Sequence, residues 1–160
     1  MKFRCIFLSA LAIAGAVFFS VLVIACSRKP GTHILEIRDS VSGITYSRWT
    51  LDEGSKFAIE FIHSVNMSPV SETYIIEEGM IRLAALRFYS YGAGIPSHLD
   101  EGQTLTRDGD AMIISGFDTS LREIRLITGA VFDHVLYINE KTISLHELCG
   151  KNAHISISLK

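Results

Sequence analysis

The body of this chain predicts an all-β fold: an antiparallel β-sandwich or barrel of about ten short strands, preceded by an N-terminal hydrophobic segment. Three observations carry that expectation. From Thr32 onward apolar residues recur with a period of two, the spacing of a half-buried strand. Turn-forming pairs such as Glu78-Gly79 and Asp108-Gly109 punctuate the sequence at short intervals. Nowhere in the body does a helical spacing persist; Ser120–Ile127 comes nearest, and its Ile residues with Thr and Gly nearby favour strand.

The leader comes first. Lys2 and Arg4 precede an almost wholly apolar run from Ile6 to Ile24, which ends Val23-Ile24-Ala25-Cys26. Small residues just ahead of a cysteine resemble a bacterial lipobox, cleaved before Cys26, whose thiol then carries diacylglycerol. Acyl chains bury at about 0.8 kcal/mol per methylene, so two or three make a lasting anchor. The alternative is an uncleaved membrane-spanning helix, for which the run is just long enough. Arg28 and Lys29 suit a translocated flank poorly. Either reading places the body outside the cytoplasmic membrane. Residues 1–26 are therefore read as signal peptide or anchor, 27–31 as a polar tether, and 32–160 as a single β domain.

Composition narrows the function classes. With 15 Lys and Arg against 17 Asp and Glu, and two of the basic residues in the leader, the body is mildly acidic. Nucleic-acid binding needs a basic patch that displaces counterions, so no nucleic-acid partner is expected. Of three cysteines only Cys149 lies in the body, which rules out a disulfide framework there. Cys149 reads as a small apolar filler.

In chain order, His33–Arg38 alternates weakly, and Gly43–Leu51 is a second strand that ends at Asp52-Glu53-Gly54. Lys56–His63 sets Phe57, Ile59, Phe61 and His63 on one face. A polar loop, Val65–Ser71, leads to Glu72–Glu78, and Met80–Tyr91 follows with Ile81, Leu83 and Ala85 opposite Arg82, Ala84 and Leu86. Gln103–Arg107 and Ala111–Ser115 flank the hairpin signal Asp108-Gly109. Leu121–Thr128, His134–Asn139, Thr142–Leu145 and Ala153–Leu159 complete the strands; in the last, Ile155, Ile157 and Leu159 point inward, and His154, Ser156 and Ser158 outward.

The unusual residues crowd the connections between Phe57 and Pro96. His63-Ser64 invites a nucleophile reading with Glu72 as orienting group, but neighbours on a strand point to opposite faces, and no nucleophile elbow is present. The structural alternative is a hairpin in which Ser64 and Ser68 satisfy backbone groups and Glu72 hydrogen-bonds His63 across the loop. The histidines are scattered without metal-ligand spacing, so neither a metal site nor a cofactor is expected. Gly92-Ala93-Gly94-Ile95-Pro96 is either a backbone anion nest or a rigid bend closed by proline.

Phe61-Ile62-His63-Ser64-Val65, with Pro69-Val70 and Glu72, then Phe88 through Gly92-Ala93-Gly94-Ile95-Pro96, resembles the bacterial family of domain of unknown function 1850. The likeness extends over about Thr32 to Leu159, with Gly43 and Gly54 falling in place. The resemblance implies a small exported or membrane-anchored protein, often encoded beside TRAP-type transporters of the TAXI class, and hence an accessory role in solute uptake. His63, Ser64, Glu72, Gly92, Gly94 and Pro96 carry over as its signature, and no catalytic residue does. Cys26 is a departure, since many members have a plain hydrophobic segment. The expectation is thus a non-enzymatic, membrane-anchored domain that contacts a tripartite transporter component or a small anionic solute. Its rivals are a hydrolase or metal-dependent enzyme centred on His63 and Glu72, and a purely structural envelope lipoprotein.

Overall fold

The computed structural model describes residues 31–92 and 94–160. The expectations for residues 1–26, Cys26 included, and for residues 27–30 lie outside the described residues. Among the described residues no helix is long and apolar enough to cross a membrane.

Twelve strands and one short helix follow one another: β1 (Thr32–Asp39), β2 (Thr45–Asp52), β3 (Lys56–His63), β4 (Ser68–Glu77), β5 (Met80–Phe88), β6 (Thr104–Asp108), β7 (Ala111–Ser115), β8 (Ser120–Leu121), β9 (Glu123–Ile127), β10 (His134–Ile138), β11 (Lys141–Ser144), α1 (Leu145–Cys149) and β12 (His154–Leu159). They form two sheets. One has four strands in the order β2-β1-β12-β9; the other runs β11-β10-β3-β4-β5-β7-β6, with β8 beside β5. Every pairing is antiparallel.

A single apolar cluster joins the sheets. Leu35, Ile37, Ile155 and Ile157 of the smaller sheet pack with Phe57, Ile59, Ile76, Ile81 and Leu136 of the larger one. Burying these faces is the main source of stability, at roughly 25 cal/mol per Å² of apolar surface. The smaller sheet covers only part of the larger. Past that cluster a second one, Val70, Leu86, Phe88, Ile114 and Phe117, has no residue from the four-stranded sheet.

Several expectations are corrected. Both sheets end in edge strands, so the fold is not a closed barrel. β4 begins at Ser68, not Glu72, because Pro69 pairs opposite Ile62 and leaves only a four-residue turn after His63. The inside-outside pattern of β5 reverses midway. The register shifts between Tyr74–Leu83 and Thr73–Ala85, so Ala84 is an extra, unopposed residue. Ile81 faces the core before this bulge; Leu86 and Phe88 face it afterwards, and Ala85 does not. Leu121–Thr128 divides into β8 and β9, with β8 on the larger sheet and β9 on the smaller. The helix α1 replaces the end of the expected strand Thr142–Leu145, capped by Ser144, whose Oγ accepts from Glu147 N at 3.0 Å. Ser156 and Ser158 point to the outer face as expected yet are buried, covered by the long side chains of neighbouring strands; Arg38 Nε donates to Ser156 Oγ at 3.3 Å.

The chain enters at one pole and presents its unusual residues at the other. Glu53 N donates to Gly31 O at 3.0 Å, which fixes the first described residue beside the turn that opens β3. β3 then runs eight residues to His63, about 26 Å at strand rise. Ile76→Ala, which removes a fully buried side chain from the cluster joining the sheets, is expected to cost about 2–5 kcal/mol by urea denaturation. A loss well below about 1 kcal/mol would mean that the sheets do not share that core.

Candidate functional site

Where β3, β4 and β5 extend past the smaller sheet, loops cover their inner face and leave a cavity of about 780 Å³. Phe61, Val70 and Leu86 form its floor, Ile95 and Pro96 one wall, and the 129–132 loop another. His63, Ser64, Glu72, Gly94 and Pro96, singled out from the sequence, all line it. Gly92 is not among the lining residues.

His63 shapes the turn at the mouth. Its Nδ1 accepts from the backbone N–H groups of Val65 and Asn66 at 3.3 and 3.4 Å, and Met67 N donates to His63 O at 2.8 Å. An imidazole that accepts at Nδ1 carries its proton on Nε2 in the neutral ring. The turn is then pinned to the glycine segment by Asn66, whose Nδ2 donates to Ser90 O and Tyr91 O at 3.2 and 3.0 Å. Gly92 is small because of this contact: a Cβ there would sit 2.5 Å from Asn66 Nδ2. Gly94 has φ +86° and closes a turn in which Ile95 N donates to Gly92 O at 3.0 Å. The Ile95 N–H is spent within this turn, as a bend closed by Pro96 requires.

The expected bond between His63 and Glu72 does not form. In the antiparallel register His63 lies opposite Ser68, and Glu72 opposite Ile59, four residues along, about 13 Å of strand. Glu72 shares the inner face of β4 with Val70 and Tyr74, and it accepts from Tyr74 Oη at 2.6 Å. Burial, then the Glu72 charge and this bond, hold the Tyr74 hydroxyl protonated far above the ordinary phenol range. Tyr74 in turn stacks on Phe57, with centroids 5.2 Å apart, which anchors the pair in the main core.

His134 carries no local mark in the sequence that would set it apart from the other scattered histidines. β10 places it opposite Phe61, on which it stacks at 5.3 Å. Its Nδ1 accepts from Gly129 N at 3.3 Å and so ties the 129–132 loop to the sheet. Burial pushes its pKa below the ordinary histidine value, opposed by the Asp133 charge and aided by His146. Phe117 and Phe132 complete the aromatic lining. Among the described residues neither Lys nor Arg lines the cavity.

Nucleophilic catalysis requires an activated nucleophile held by its base. Here the His63 Nδ1 is occupied by backbone donors, and Glu72 is directed at Tyr74. Among the described residues no group of His, Cys, Asp and Glu side chains is arranged to hold a metal ion. Cys149 lies away from the cavity, and burial raises its thiol pKa to about 11, which suits an inert filler. What the arrangement offers, among the described residues, is a largely apolar chamber with one carboxylate and two imidazoles in its lining.

Comparison with family models matches residues 57–145 to the Domain of unknown function (DUF1850). That range contains every residue lining the cavity and leaves β1, β2 and β12 outside. It is narrower than the span from Thr32 to Leu159 over which the sequence bears the resemblance. No curated protein and no solved structure matches the chain.

Gly92→Ala must displace the Asn66 amide, and a loss of about 1–2 kcal/mol is expected. In an Asn66→Ala background the same substitution should be nearly silent, and the double-mutant cycle measures this coupling; additive losses would show that Asn66 does not hold the segment. A second expectation concerns pH. The folded state depresses the His134 pKa, so its contribution is present above the unfolded value near 6.5 and lost as pH falls below it. Between pH 7.5 and 5 the wild type should lose stability relative to His134→Gln, read from urea midpoints. A constant difference across that range counts against a desolvated His134.

Proposed function

The chain belongs to the DUF1850 family, and from that premise we propose that it is a non-catalytic binding domain. It acts outside the cytoplasmic membrane, held there by its N-terminal segment, and takes the apolar part of a small molecule into the cavity beneath the 92–96 segment. We propose further that it does so as an accessory of a TRAP-type solute transporter.

The observation that carries the binding reading is the cavity itself. At about 780 Å³ it lies within the range of small-molecule sites, roughly 300–1,000 Å³, and its lining is predominantly apolar with a few convergent polar groups. The signature residues supply the turn, the bend and the carboxylate. A purely structural protein gives no reason for a rigid, loop-roofed chamber where a packed core would be more stable. The hydrolase reading has less support, because His63 and Glu72 are separated along the strands and each already holds another group. The tether and the transporter role draw on the leader and on the family resemblance. The position of Gly31 at the pole opposite the cavity is compatible with both, since it leaves the mouth turned away from the attachment point.

Full-length protein made in a bacterial host is expected in the membrane fraction, with Cys26→Ser retarding its maturation if a lipid holds it. Recovery of the unprocessed chain from soluble cytosol would contradict the tether. Affinity capture of tagged protein from native membranes should bring down a transporter component. Ala130→Trp, which blocks the cavity from an exposed loop, should abolish that capture if cargo in the cavity governs the contact. Identical capture by both proteins would separate the cavity from the transporter.

A further inference from the structure

Among the described residues that line the cavity, Glu72 is the one acidic side chain and there is no lysine or arginine, a balance that selects among ligands. Glu72 projects from the inner face of β4 between Val70 and Tyr74, and its Oε2 is fixed by the Tyr74 hydroxyl at 2.6 Å. His63 and His134 both turn Nδ1 to backbone N–H groups, so these ring nitrogens are engaged with the loops. Phe61, Phe117 and Phe132 add aromatic rings, which attract cations through their quadrupoles. Beside apolar walls a carboxylate attracts a cation more strongly than it does in open water.

We propose that the cavity selects a small cationic ligand, an apolar or aromatic body bearing an ammonium group, with Glu72 as its counter-ion and Tyr74 as the residue that positions Glu72. This rests on the reading of the cavity as a binding site. It also reverses the sequence-based expectation of an anionic solute, which would meet Glu72 with no lysine or arginine among the described lining residues to offset it. The Tyr74 hydroxyl occupies one carboxylate oxygen and, through its stack on Phe57, prevents the side chain from swinging toward solvent. The ammonium would then meet the other oxygen while the hydrocarbon body lies against Val70, Leu86 and the phenylalanines.

The test uses three ligands of one shape: 3-phenylpropylamine, 3-phenylpropanol and 3-phenylpropionate. Their binding to the full-length chain in lipid nanodiscs is measured by calorimetry, with empty nanodiscs subtracted. The amine is expected to bind most tightly and the carboxylate least. Glu72→Gln, whose amide oxygen can still accept from Tyr74, should weaken the amine about tenfold or more, the size of a charge-assisted hydrogen bond, and leave the alcohol nearly unchanged. If the alcohol binds but the amine binds no better, or if Glu72→Gln keeps the amine preference, the cation proposal is wrong while the cavity remains a binding site. If none of the three binds above the empty-nanodisc signal, the cavity reading falls and this proposal with it.

Discussion

A sheet face made of apolar side chains has to be covered, and here the cover is too small. The larger sheet runs its longest strands, β4 with ten residues and β5 with nine, past the edge of a four-stranded partner. Main-chain pairing fixes the length of the exposed face, and hydrophobicity requires that something lie over it. Loops do so. Irregular backbone cannot interdigitate as closely as a second sheet, since its own polar groups need partners. The chamber is what remains between a regular floor and an irregular roof.

That origin explains how its polar groups are employed. His63, Asn66 and His134 hold loop backbone in place: two imidazole nitrogens accept N–H groups, and one side-chain amide serves two carbonyls. Residue types common in active sites are used here as fasteners for the roof. Glu72 differs, because it holds no loop. It lines the chamber with Tyr74 as its one described partner, which is why it is the group proposed above as the ligand's counter-ion.

Much of this was legible in the chain. Period-two patterning located nearly every strand, and the crowding of His63, Ser64, Glu72, Gly94 and Pro96 into a short stretch marked residues that do converge on one chamber. The failures have physical reasons. Nothing in Arg82-Leu83-Ala84-Ala85-Leu86 tells where a strand gains an unopposed residue, yet the bulge at Ala84 decides that Leu86 faces inward. The partner of Glu72 depended on register, which moved when β4 proved to start at Ser68. His134 is brought in by long-range pairing and carries no local mark. The helix α1 did leave a trace: Ser144 three residues before Glu147, and Gly150 just after Cys149, form a start and stop signal that the β-rich surroundings obscured.

The polar separation of entry point and mouth has an electrostatic consequence. Were residue 31 held at the membrane as proposed above, with β3 directed away from it, the chamber would stand about one strand length, about 26 Å, from the lipid surface. Mobile ions damp the potential of anionic headgroups over about 8 Å at physiological salt, so roughly three damping lengths intervene. A cation arriving at the mouth would meet almost none of the pull that concentrates positive solutes against the bilayer. Its affinity would be set by this domain alone, and it would vary little with the lipid composition beneath.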